Sequence, residues 1–247
     1  MVSKSQLKLI TSLAQKKYRN RHGLFIVEGI KNIEEFLKSS FELQALFTTE
    51  AIFQAEKSKT FFIELSELKQ ISQLTTPQIA LAIFQIPKPK PLFYSNLIVA
   101  LDGVRDPGNL GTIIRLCDWF DVTDLVCSLD TVDCYNPKVV QSSMGSLSRV
   151  NVHFLDLKNF IQEAPKHIPV YGSFMNGNNI YKEAISSSEG ILLMGNEANG
   201  ISSEIGDLVT HRISIPQFGE GKTESLNVAT ATSIILSEFK RNIFTEK

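Results

Sequence analysis

The feature that most constrains this chain is a rhythm. From Leu97 onward, short apolar runs alternate with longer segments of helical period. The runs predict strands over 97–101, 124–128, 149–154, 168–172, 190–194 and 212–215. The segments between and after them predict helices over 109–120, 137–145, 156–164, 201–207 and 225–241. Strand–helix repetition of this kind builds a mostly parallel sheet with helices on both faces, an α/β fold. Pattern alone predicts that the sheet is unknotted, because true knots are very rare.

In open α/β sheets, ligands bind beyond the carboxyl ends of the strands. Three polar loops occupy such places. The first follows Leu101 and reads Asp102-Gly103-Val104-Arg105-Asp106-Pro107-Gly108-Asn109-Leu110-Gly111, with Arg115 six residues past Asn109. Pro107 and Gly108 predict a turn, Asn109 is a natural helix cap, and an arginine near a helix N-terminus suits a phosphate. Read alone, the same residues are a helix cap and an arginine paired with Asp118 or Asp121. The second loop follows Met194 and reads Gly195-Asn196-Glu197-Ala198-Asn199-Gly200. Its glycines let backbone approach a ligand, and Glu197 is placed to orient Asn109 or Arg115 or to favour a helix N-terminus. Alone, it is a strand-end turn with an exposed acid. The third follows Ile213-Ser214-Ile215-Pro216 and leads through 217–223 into Ser225-Leu226-Asn227-Val228. Ser225 and Asn227 are cap residues by type, and Ile215 and Leu226 alone read as core. Gly219 to Thr223 lacks the full phosphate-loop pattern, and no G-x-G-x-x-G follows the first strand, which argues against nucleotide hydrolysis and dinucleotide binding.

Three such loops in this order resemble the SpoU (TrmH) family of RNA 2′-O-ribose methyltransferases, of the SPOUT superfamily, over about residues 97 to 240. The resemblance implies S-adenosylmethionine as cofactor and a catalytic set of Asn109, Arg115, Glu197, Ser225 and Asn227. It places Met194, Gly195, Gly200, Ile215 and Leu226 at the cofactor, with backbone groups of Ile215 and Leu226 in contact. It also implies a C-terminal deep trefoil knot, against the general expectation for sheets, and a homodimer with active sites at the subunit interface. By its chemistry Arg115 stays protonated and stabilises a phosphate or oxyanion; the family mechanism has been argued with this arginine as the base, so the proton acceptor is left open. Asn136-Pro137-Lys138 to Gly145 matches a further family segment, with Gln141 where many relatives carry a basic residue.

The first ninety residues have a different character. They hold thirteen Lys and Arg against eight Asp and Glu, while the remainder is acidic, so a net charge of −1 conceals a basic front half. Apolar positions at Leu7, Ile10, Leu13 and Ala14 predict a helix over 3–17, capped by Ser3 or Ser5. A charged turn, 16–22, follows. Lys16, Lys17, Tyr18, Arg19 and Arg21 combine cations with an aromatic ring, a mixture suited to RNA; a solvated helix face reads the same on charge alone. Strands are expected over 24–27, 43–48, 61–65 and 79–86, with helices over 30–37 and 67–74. The resemblance implies an RNA-binding domain here like ribosomal protein L30e, a domain of ribosomal RNA enzymes, and so ribosomal rather than transfer RNA as substrate.

Ile86-Pro87-Lys88-Pro89-Lys90-Pro91 cannot sustain helix or central strand. The expected division is 1–86 for substrate binding, 87–96 for the linker and 97–247 for catalysis. Asn176 to Asn179 and Ser186 to Ser188 read as polar loops. No apolar run approaches the ~20 residues that span a bilayer, and a cytoplasmic protein is expected. Cys117, Cys127 and Cys134 have no paired spacing and read as reduced, buried thiols; no metal site is expected. The competing expectation is a non-catalytic RNA-binding or ribosome-assembly protein that kept the fold. Retention of all five polar site residues argues against it.

Overall fold

The structure, a computed structural model, describes residues 2–183, 185, 189–219 and 225–245. Residues 186–188 and the 220–223 part of the long loop, both singled out in the sequence, lie outside the described residues. The chain divides into two compact units, 1–88 with 133–149, and 89–132 with 150–247.

The first unit is built on a four-stranded sheet of order β1-β4-β2-β3, with β1 (Leu24–Glu28), β2 (Leu43–Thr48), β3 (Thr60–Phe62) and β4 (Ala80–Gln85). Strand β4 is antiparallel to both neighbours, and β3 runs parallel to β2. Ile26, Phe47, Leu81 and Ile83 pack with Ile10 and Leu13 near α1 (Lys4–Ser12) and with Leu68 and Ile71 of α4 (Leu65–Ile71). Phe25 and Phe84 instead join Phe36 of α3 (Ile30–Leu37) and Phe41, ring centroids lying 5.4–6.2 Å apart in edge and tilted pairs.

Two expectations fail in this unit. The helix over 3–17 is two helices. Helix α1 opens with a Ser3 capping box and stops at Ser12, and the expected charged turn is itself helix α2 (Lys16–His22), closed by Gly23 at φ 64°. The compact units also differ from the division at the proline run by one segment. Residues 133–149, expected in the catalytic domain, belong to the first unit, where α6 (Pro137–Ser143) packs on β1. Tyr135 lies 4.7 Å from Phe25, ring to ring, and Arg149 pairs with Glu35. Both contacts are long-range in sequence, so no local pattern announces them.

The second unit is a six-stranded sheet of order β10-β8-β9-β5-β6-β7 in which every pairing is parallel. Its strands are β5 (Leu97–Leu101), β6 (Asp124–Cys127), β7 (Asn151–Phe154), β8 (Val170–Asn179), β9 (Gly190–Met194) and β10 (His211–Ser214). Central strands β5 and β9 are buried along their whole length, which requires cover on both faces. Ile98, Ala100, Ile191 and Leu193 face α7 (Leu157–Glu163) and α8 (Ser203–Gly206). On the alternate side, Tyr171 of β8 meets Phe239 of α9 (Val228–Thr245) edge to face at 5.0 Å, and α9 packs on α5 (Pro107–Trp119). Strand β5 sends the chain to β6 and β7 on one side, while β9 leads to β10 on the other. The order therefore reverses between β5 and β9, and the crevice at their carboxyl ends is the place for a ligand. No described helix is long and apolar enough to cross a membrane.

Candidate active site

Helix α5 begins with a cap. Asp106 accepts the Asn109 backbone N–H at 2.8 Å and Pro107 fills the first helical position. Asn109 was expected as the cap, but Asp106 does that work. The Asn109 side chain is thereby released, and it points across to the second loop. Its Nδ2 donates to Glu197 Oε1 at 2.8 Å. Its Oδ1 accepts from Asn227 Nδ2 at 2.9 Å. Asn227 in turn caps α9, accepting the N–H groups of Ala229 at 2.9 Å and Thr230 at 3.3 Å.

The polarity of this chain is fixed at both ends. A carboxylate only accepts, so the Asn109 amide nitrogen must face Glu197. Helix N–H groups only donate, so the Asn227 oxygen must face α9. One bond from each of the three loops thus converges on Asn109, beyond the β5/β9 switch point.

The second loop folds upon itself. Asn196 and Gly200 exchange two backbone hydrogen bonds of 2.9 Å. A Cβ on Gly195 would lie 2.1 Å from the Gly200 carbonyl carbon and 2.2 Å from the Ile201 nitrogen. The glycine is therefore demanded by the chain's own backbone, whatever it later offers a ligand. Beside the first loop, the Ser128 hydroxyl and the Arg105 guanidinium hold the Asp130 carboxyl below the usual carboxylate range.

A cavity of about 870 Å³ opens here, and Met194, Gly195, Gly200, Ile215 and Leu226 all line it together with Glu197 and Ser225. Every residue expected at the cofactor therefore borders one space, and Glu197 ties that space to Asn109 and Asn227. Sequence reasoning missed its other wall. Asn176 to Asn179, read as a loop, belongs to β8, whose register against β10 jumps from Gly172↔Arg212 to Asn178↔Ile213. The five residues between bulge out, and Phe174 and Met175 reach the cavity. Gly177 pins the bulge, since a Cβ there would lie 2.4 Å from the Ile213 carbonyl carbon. The arginine of β10 stacks on the bulge, with Arg212 3.5 Å from the centre of the Phe174 ring. Phe218, on the third loop, is 88% exposed at the same cavity. Two glycines five residues apart, Gly172 and Gly177, were the available signal for the bulge.

Arg115 is not drawn into this network. It is exposed on α5, six residues and so about 9 Å along the axis from Asn109. Among the described residues no carboxylate pairs with it, including Asp118 and Asp121. The RNA-binding set divides too. Lys16, Lys17 and Arg21 are exposed and Tyr18 is half-buried, with the Lys17 ammonium 6.0 Å from the Tyr18 ring. Arg19 was expected among them and is instead 1% exposed. Its Nε and Nη2 donate to Asp133 Oδ2 at 3.0 and 2.5 Å, and its Nη1 donates to the Leu13 and Ala14 carbonyls at 2.8 Å. All three of its nitrogens bond within the first unit and the side chain is buried, so Arg19 joins segments of that unit and is not presented to a phosphate.

A parallel α/β sheet with a cofactor-sized cavity beyond the carboxyl ends of β8, β9 and β10, joined through Glu197 to an amide–carboxylate chain, defines the class: an α/β protein that takes a small molecule at its strand ends. Comparison with known proteins supplies the family. Residues 96–237 match the model of the SpoU rRNA Methylase family, and residues 4–82 match the MRM3-like substrate binding domain. The chain belongs to the SpoU rRNA methylase family. It is 28% identical over 229 residues to the 23S rRNA (guanosine(2553)-2′-O)-methyltransferase RlmP of Bacillus subtilis, covering 91% of each chain. Among solved structures, a Porphyromonas gingivalis protein assigned to the TrmH family of RNA methyltransferases superposes with a TM-score of 0.91 at 37% identity, over 98% of this chain and 99% of that one. An AdoMet-bound rRNA methyltransferase from Sinorhizobium meliloti superposes with a TM-score of 0.87 at 28% identity, over 98% and 97%.

Proposed function

We propose that the protein methylates the 2′-hydroxyl of a ribose in RNA, ribosomal rather than transfer RNA, using S-adenosylmethionine. The observation that carries this reading is the Asn227–Asn109–Glu197 chain, which reaches the 870 Å³ cavity at Glu197. The cavity fits the cofactor. Its volume falls in the usual small-molecule range of about 300–1,000 Å³. Met194, Ile215 and Leu226 give it apolar walls, and Gly195 and Gly200 present backbone without side chains. These five residues hold S-adenosylmethionine, which when bound supplies a methyl group already activated by a sulfonium.

The protein's own contribution is positioning and charge. Asn109, its amide fixed from both sides, orients the ribose oxygen. Glu197 holds Asn109 and keeps its second carboxylate oxygen for the substrate. Ser225, at the cavity beside Asn227, contacts the ribose side. The Arg115 guanidinium stabilises the RNA phosphate or the developing oxyanion. It stands apart from the other four within one chain, so the reading includes a homodimer in which Arg115 of one subunit serves the cavity of the other. It also includes the trefoil knot at the C-terminus. The first unit, residues 1–88 with 133–149, acts as the L30e-like substrate-binding part, holding RNA through Lys16, Lys17, Tyr18 and Arg21, in the cytoplasm.

The test is methyl transfer from labelled S-adenosylmethionine to ribosomal and transfer RNA from cells lacking the protein, followed by nucleoside analysis. A 2′-O-methylnucleoside formed in ribosomal RNA alone is the expected result. Cofactor binding without any transfer would point to an RNA-binding protein that kept the fold.

A further inference from the structure

Glu197 sits on a loop fastened on both sides of it to the loop that carries Asn109, and neither fastening involves Glu197 itself. On one side stands Asn196. Its Nδ2 donates to the Gly103 carbonyl at 2.5 Å, and its Oδ1 accepts the N–H groups of Ala198 at 2.9 Å and Asn199 at 3.2 Å. On the other side, Ser202 donates both its backbone N–H and its hydroxyl to Asp102 Oδ2, each at 2.8 Å. Asp102 and Gly103 leave β5 and run directly to the Asp106 cap of α5. The separation of Glu197 from Asn109 is therefore set by two loop-to-loop links, not by the 2.8 Å bond alone.

The two ends of the Asn196 amide have different tasks. The oxygen shapes the turn on which Glu197 rides, because it gathers the N–H groups just beyond that residue. The nitrogen fixes the turn to the first loop. Without the nitrogen the turn keeps its shape and loses its anchor; without the oxygen it loses its shape. Backbone pairing between Asn196 and Gly200 survives either change.

We propose that Asn196 is a positioning residue for methyl transfer, aiming the Glu197 carboxylate at Asn109 through its link to Gly103. Its effect on the reaction passes through Glu197. This deepens the methyltransferase reading and rests on it.

The experiment is single-turnover methyl transfer by the full-length chain, with wild type, Asn196→Ala, Glu197→Ala and the double variant. A displacement of about 1 Å at a reaction centre costs on the order of 10²-fold. Asn196→Ala is expected to slow transfer by about 10- to 100-fold in the wild-type background, and by less than about twofold when Glu197 is already alanine. An equal loss in both backgrounds would mean a merely structural role and overturn the proposal. Asn196→Asp separates the two tasks, and serves also if the alanine variant does not fold. It keeps the acceptor but faces the Gly103 carbonyl with an oxygen. Its activity relative to wild type is expected to recover as pH falls through the carboxyl range, where the protonated side chain donates again. A ratio to wild type that does not change with pH would remove the role of the Gly103 link. Absence of transfer by the wild type would instead defeat the methyltransferase reading, and this proposal with it.

Discussion

Glu197 can reach Asn109 only because Gly195 carries no side chain. A methyl group there would meet the carbonyl carbon of Gly200 and the nitrogen of Ile201, both backbone atoms that cannot swing aside. Gly195→Ala is expected to destabilise the protein by about 1–3 kcal/mol, the usual cost of forced overpacking, and to abolish cofactor binding; urea unfolding and calorimetry with S-adenosylmethionine measure the two. Arg19 makes the opposite case, a polar residue whose importance lies wholly in the fold. Arg19→Ala leaves the largely covered Asp133 carboxylate without its guanidinium partner, so a loss of about 3 kcal/mol is expected, with RNA affinity per folded molecule unchanged. A folded, stable Arg19→Ala chain with weakened RNA binding would restore the phosphate role that its burial denies. Asn109, Glu197 and Asn227 were picked out by the resemblance of the three loops to the family, and the structure joins their side chains. Their bonding order was not legible in the sequence, because it depends on which backbone groups occupy the two ends. Arg19 was misread for the same reason: a cation in a basic stretch looks exposed until Asp133, 114 positions away, is seen to face it.

At the scale of elements, the strands and helices of the second unit were readable because each obeys one period, and β5 and β9 are continuous apolar runs. What escaped was whatever needed two elements at once. The β8 bulge exists because β10 skips five residues of its neighbour, and its polar sequence therefore resembles a loop. Helix α2 escaped because seven mostly charged residues show no apolar stripe. If α2 lies against RNA, replacing Lys16, Lys17 and Arg21 by glutamine will flatten the dependence of log affinity on log salt by about 0.7–0.9 per lost phosphate contact. An unchanged slope would reassign α2 to a solvated face. Helix α5 and strand β6 offer a separate check. Cys117 and Cys127 are fully buried, and burial pushes both thiols well above their ordinary range. Neither is expected to react with a thiol reagent at pH 8 until denaturant is added; rapid labelling of native protein would contradict the packing of α5 on the sheet.

For the whole molecule, the account turns on whether one chain holds a complete reaction centre. Asn109, Glu197 and Asn227 meet within the chain, and Arg115 does not join them. In the proposed homodimer, two strongly impaired variants, Arg115→Ala and Glu197→Ala, should rescue one another when mixed and allowed to exchange subunits. Random pairing with one intact centre per mixed dimer gives about a quarter of wild-type activity. No rescue would place Arg115 in its own subunit's site or outside the reaction. The most direct measurement is simpler. Ribosomal RNA from cells lacking the protein is incubated with S-adenosylmethionine and either the wild type or Glu197→Ala, then digested to nucleosides. The account predicts one 2′-O-methylnucleoside that appears with the wild type and falls by about 10²-fold or more in initial rate with the variant. A methyl group found on a base, or transfer that is indifferent to Glu197, would contradict it.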